Sequence, residues 1–127
     1  MSSSAPLQLE VVGDAITAAA GASFTVLVRL RNVGRTPVEL MFTSSCSFGI
    51  VIATSDGREL SRPEALCLSV IREPTLASGE VLDGSVEYTL GEPGVVSLAR
   101  GAYRITPRLL SISDVAVTAR SARLDVR

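Results

Sequence analysis

The 127-residue chain has no histidine, no lysine and no tryptophan, and only two cysteines. Without histidine there is no imidazole base for a serine or cysteine hydrolase triad and no imidazole metal ligand. Without lysine there is no Schiff-base amine and no phosphate-gripping P-loop side chain. Charge of one sign is also missing. Twelve arginines against thirteen acids leave a formal charge of −1, so nothing in the balance recruits a polyanion, and no nucleic-acid partner is expected.

Long apolar runs are absent as well. Stretches such as Ala18 to Ala20 and Gly49 to Ala53 fall far short of the roughly 20 residues of a spanning helix, so no membrane span is expected. Met1 to Pro6 offers neither a basic n-region nor an apolar h-region, so the sequence as it stands carries no signal peptide. With 46% hydrophobic and 20% charged residues the chain is rich enough in apolar surface for a packed core and one domain, expected over residues 7–127 after a flexible segment at 1–6.

What is present is alternation. Phe24, Val26, Val28 and Leu30 are apolar, and Thr25, Leu27, Arg29 and Arg31 between them are mostly polar. Val38, Leu40 and Phe42 repeat the pattern. So do Phe48, Ile50 and Ile52, then Val86, Tyr88 and Leu90, then Tyr103, Ile105 and Leu109. A period of two sends successive side chains to opposite faces, so each segment is a strand with one greasy and one wet face. Turn signals separate them at Asn32 to Arg35, Ser55-Asp56-Gly57, Ser78-Gly79, Gly91 to Gly94 and Arg100-Gly101. The pattern predicts an all-β, antiparallel sandwich of about seven to nine strands in two stacked sheets. Ser61 and Glu64 have capping-box spacing and predict one short helical turn near 61–67. Pro107, lacking an N–H, predicts a bulge or a free edge in its strand.

In their order and spacing, the run Phe24 to Asn32, Pro37 to Thr43, Asp56-Gly57, Thr75 to Glu80 and Gly101-Ala102-Tyr103 resemble the BsuPI-type intracellular proteinase inhibitor domain over about Ala15 to Ser111. The resemblance implies an Ig-like β-sandwich and a bacterial, non-enzymatic domain named for inhibition of a serine proteinase. Two residues of these pieces have structural readings of their own. Asn32 can bond its own backbone and open a turn that Gly34 completes. Tyr103, following Gly101, resembles a tyrosine corner, in which the phenol bonds back to an upstream backbone group.

Cys46 and Cys67 leave four readings open. A catalytic thiolate would need a cation such as Arg62 or Arg72 beside it, and a metal site would need acidic ligands to complete it. The others are a disulfide, which the spacing favours, and a pair of buried thiols. A bridge across this loop would contribute about 3 kcal/mol by restricting the unfolded chain. It would also point to an oxidising compartment outside the cytoplasm, with a leader not included in this sequence; the cytoplasm is the alternative.

The densest acidic cluster is Glu80, Asp83 and Glu87, and a pair on one strand face could serve an enzyme, although solvated acids on a wet face are the commoner outcome. Arg29, Arg31, Arg35, Arg104 and Arg108 fall on polar phases, where they can pair with acids such as Glu39 or together hold a carboxylate or phosphate. These features predict a non-catalytic protein-binding domain that needs no cofactor and no metal. The resemblance names a serine proteinase as its partner; the alternative is a structural or interaction domain of a bacterial envelope or secreted protein. The candidate partner-binding loop is Gly91 to Arg100, which carries Pro93, Val95, Val96, Leu98 and Arg100; alternatively its apolar residues fold back onto the core. The oligomeric state is not encoded in any of these patterns.

Overall fold

A computed structural model of the chain describes residues 5–13, 15–64 and 67–127. The described residues form an all-β sandwich of two main sheets and two short ribbons. One sheet contains β1 (Leu7–Val11), β3 (Phe24–Asn32), β10 (Val81–Tyr88) and β12 (Val117–Arg120), in the order β10-β3-β1-β12. The other contains β2 (Ala15–Ala18), β6 (Phe48–Thr54), β7 (Glu59–Ser61), β11 (Gly101–Leu109) and β13 (Ala122–Val126), in the order β2-β13-β11-β6-β7. The ribbons are β4 (Val38–Glu39) with β9 (Thr75–Leu76), and β5 (Phe42–Ser44) with β8 (Ser69–Arg72).

The alternating apolar residues face one another across the two layers. Leu7, Leu9, Val26, Val28, Leu30 and Val86 come from the first sheet, and Phe48, Ile50, Ile52, Ile105 and Leu124 from the second, all buried in one continuous core. Gly84 in β10 lets the layers close. A Cβ there would stand 2.7 Å from two atoms of the Phe48 ring, so the missing side chain is the space the ring occupies.

Two strand pairs depart from the antiparallel expectation. β1 runs parallel to β12, and β2 parallel to β13. The first and last strands each pass from one sheet to the other, near Gly13 and at Ser121, and travel side by side in the same direction. Alternation reveals which face a strand buries but not the direction of its neighbour, and no hairpin links these distant segments.

The helical turn near 61–67 is also corrected. Ser61 ends β7, Arg62 to Glu64 are irregular, and residues 65 and 66 lie outside the described residues. The Ser61 hydroxyl is buried and donates to Gly94 O at 2.7 Å, a contact 33 residues away that outcompetes a local cap. Pro107 lies in β11 without a bulge, opposite Ile50. The β13 ladder on the other side ends at Ile105, so the proline falls where β11 has only one partner strand. The run from Val38 to Phe42 is split because Leu40 N donates to the carbonyl of Pro74, which has no N–H to return.

Of the segment expected to be loose, residues 1–4 lie outside the described residues, and Pro6 accepts the Val33 N–H at 2.8 Å. The turn at Asp56-Gly57 forms as read, closing β6 onto β7 with Gly57 at a φ of 96°.

Candidate functional site

The most unusual surface lies on the β5–β8 ribbon. Cys46 and Cys67 are joined in a disulfide with their Cα atoms 5.8 Å apart, which excludes the thiolate, free-thiol and cysteine-metal readings. The bridge fixes the start of β8, and Ser45 N donates to Leu68 O just beyond it. At the other end Arg72 lies 4.6 Å over the ring of buried Phe42 and donates to Ser44 O and Ser47 Oγ, both at 3.0 Å. The cation is therefore turned inward. Apart from Ser69, what faces solvent is apolar: Leu68 is 76% exposed, Val70 43% and Ile71 71%. β8 pairs with β5 alone, so among the described residues its other edge has no partner strand. Natural edges are usually blunted by lysine, proline or outward charge, and here none interrupts Leu68 to Ile71. Beyond Arg72 the surface continues into a cleft of about 400 Å³ lined by Glu39, Met41, Glu73 and exposed Ile112 among others.

The loop from Gly91 to Arg100 is built differently. Tyr88, 1% exposed and stacked on Phe24 at 4.8 Å between centroids, presents its hydroxyl to Val96 O at 2.5 Å, Val96 N at 3.1 Å and Ser61 Oγ at 2.9 Å. Arg62 N donates to Gly94 O and Glu64 N to Pro93 O. Leu98 is buried in the core and Val95 packs against it, whereas Pro93, Val96 and Arg100 remain exposed. The loop's middle is thus strapped down by its own backbone.

The fold is similar to that of a CARDB domain. The solution structure of one such domain from Pyrococcus furiosus is 14% identical to this chain, covers 95% of it and is itself covered to 94%, with a TM-score of 0.52. Two weaker likenesses are to the alkylpurine DNA glycosylase AlkC of Pseudomonas fluorescens (14% identity, 98% of this chain but 31% of that one, TM-score 0.48) and to a β-glucosidase from Erythrobacter marinus (16% identity, 94% of this chain and 15% of that one, TM-score 0.48). No family model matches the chain, and no curated protein matches its sequence. The likeness supports an Ig-like β-sandwich and carries no activity with it.

The remaining sequence candidates are dispersed. Asp83 is engaged by Arg29 directly across the β3–β10 ladder, Nε to Oδ1 at 2.8 Å and Nη2 to Oδ2 at 3.2 Å. This hydrogen bond holds the Asp83 carboxyl below its ordinary range. Glu80 accepts from Ala77 N in a turn, and Glu87 is exposed, so the three acids do not converge. Arg29 pairs with Asp83 rather than Glu39. Tyr103 donates to Ala99 O at 2.6 Å on an exposed rim, next to Gly101 at the start of β11. Asn32 is fully buried: its Nδ2 donates to Thr36 O and Leu76 O, both at 2.9 Å, and its Oδ1 accepts from Gly34 N. Sequence reasoning missed β8 as a site, although Leu68, Val70 and Ile71 were in plain view, because a short apolar run after a cysteine reads first as core.

Proposed function

We propose that this chain is a non-catalytic protein-binding domain that receives an extended apolar segment of a partner protein along the free edge of β8. One observation carries this reading: a strand clamped by a disulfide at one end and by Arg72 at the other, yet exposing Leu68, Val70 and Ile71 with one ladder edge open. An added strand gains affinity from main-chain hydrogen bonds and specificity from alternate side chains, and this edge offers both. A rigid edge loses less conformational entropy on binding than a loop would. The disulfide supports a place of work outside the cytoplasm, and the two-sheet architecture is one that surface and secreted proteins use.

The narrower form, a BsuPI-type serine proteinase inhibitor, requires a segment offered to an enzyme's cleft. The loop from Gly91 to Arg100 supports it less than β8 does, because the backbone at Pro93, Gly94 and Val96 is already bonded. Pull-down with the oxidised domain tests the broad reading. L68D/I71D is expected to lose the partner that the unmodified domain captures, with no fall in melting temperature. Equal capture by both proteins overturns the placement on β8. Inhibition assays against subtilisin-like and trypsin-like proteinases test the narrow reading, and cleavage within residues 91–100 without inhibition removes it.

A further inference from the structure

On the other side of the disulfide, a cleft of about 300 Å³ has Arg62, Arg108, Glu64, Pro63, Leu110 and Gly49 in its lining. Arg108 stands on β11 directly opposite Gly49 of β6, and its side chain lies over that glycine: a Cβ at Gly49 would be 3.7 Å from Arg108 Nη1. Among the described residues no acid and no hydrogen-bond acceptor meets the Arg108 guanidinium. Arg62, which also lines the cleft, is bound to Glu59 through Nε and Nη2 at 3.2 and 2.6 Å, and its Nη1 has no hydrogen-bond partner among the described residues. Burial, then repulsion from Arg62, hold Arg108 below the usual guanidinium range, and Glu59 only partly opposes them. Glu59 compensates Arg62 and leaves the half-buried Arg108 without an acceptor of its own among the described residues, an arrangement that an anion on its fork would relieve.

We propose that this cleft binds a carboxylate, gripped by the free fork of Arg108 and the remaining Nη1 of Arg62 over the bare backbone of Gly49. A planar guanidinium matches a carboxylate with two parallel hydrogen bonds. The single negative charge suits the cleft better than a phosphate dianion, because Glu59 and Glu64 have already offset much of the local positive charge. Pro63 and Leu110 supply an apolar wall for the carbon stem that carries the acid. The carboxylate can come from a free small acid or from the side chain of a protein partner.

Both sources can be tested on the intact, oxidised chain by following the arginine Nε–Hε resonances in ¹H–¹⁵N spectra. Sodium succinate, and separately a short peptide with one glutamate, are titrated against sodium chloride at matched ionic strength. A saturable shift of the Arg108 resonance with either carboxylate, absent with chloride and with the glutamine version of the peptide, is expected. In R108Q, which has no Arg108 resonance, the Arg62 resonance should no longer shift with either carboxylate. R62Q, read at the Arg108 resonance, and R108K, read at the Arg62 resonance, should weaken binding about tenfold, or about 1.4 kcal/mol. Tighter binding of the peptide assigns the carboxylate to a partner's side chain, and binding of succinate at least as tight assigns it to a free acid. Carboxylates that shift the Arg108 resonance no more than chloride does, or a curve unchanged in both R62Q and R108K, overturn the proposal.

Discussion

At the scale of single residues, the two tyrosines do different work. Tyr88 is buried and its hydroxyl serves both the backbone of Val96 and the side chain of Ser61, so Tyr88→Phe leaves buried polar groups short of partners. Chemical denaturation should show a loss of about 1–3 kcal/mol for this variant, with faster amide exchange at Val96. Tyr103→Phe removes one bond on an exposed rim and should cost less, at most about 1 kcal/mol. The reverse order in equilibrium unfolding would show that the Tyr88 hydroxyl does not hold the loop. Asn32 exceeds its sequence reading. The Asx turn to Gly34 was legible, but the donation to Leu76 O ties it to a strand 44 residues away.

At the scale of elements, the close approach of β10 to β6 depends on Gly84. Gly84→Ala would drive a methyl group into the Phe48 ring, and a buried ring has little room to retreat. Overpacking of this kind costs about 1–3 kcal/mol, and thermal unfolding of G84A should show it. The strands easiest to read were those with long alternations, such as β3 and β11. β1 and β13 alternate just as cleanly, with Leu7, Leu9 and Val11 and then Ala122, Leu124 and Val126 all buried, but they are only five residues each and lack strong turn signals. β8 and β9 are four and two residues long, too short for a period to be measured, whereas β4 and β5 were legible only as one continuous alternation from Val38 to Phe42.

For the molecule as a whole, the bridge between Cys46 and Cys67 closes a loop with a sequence separation of 21, and removing it should cost about 3 kcal/mol in the loop-entropy account. C46S/C67S should therefore melt well below the oxidised protein, and β8 should lose exchange protection before the main sheets do. The acid limb of stability follows from Asp83 and Asp56. Both carboxyls sit below their ordinary range in the folded chain, Asp83 through its bond from Arg29 and Asp56 through its bond from the Thr54 hydroxyl. A depressed carboxyl contributes stability that is complete above its unfolded value of about 4 and is lost as pH falls through the lower folded value. Melting temperature should thus decline below about pH 4, and D83N should show a shallower decline than the unmodified chain. With no histidine to titrate, the profile between about pH 5 and 8 should be nearly flat.

Composition and period by themselves determined that this chain is all-β, which face of its long strands turns inward and that it has no imidazole or lysine amine to work with, because side-chain direction along a strand is a local property. The tertiary structure alone decided that the end strands pair in parallel, that Ser61 bonds Gly94 instead of capping a helix, and that Leu68 to Ile71 lie outside the core. Each of these depends on which distant backbone arrives alongside, and that is set by the closure of the whole sandwich rather than by any neighbour in sequence.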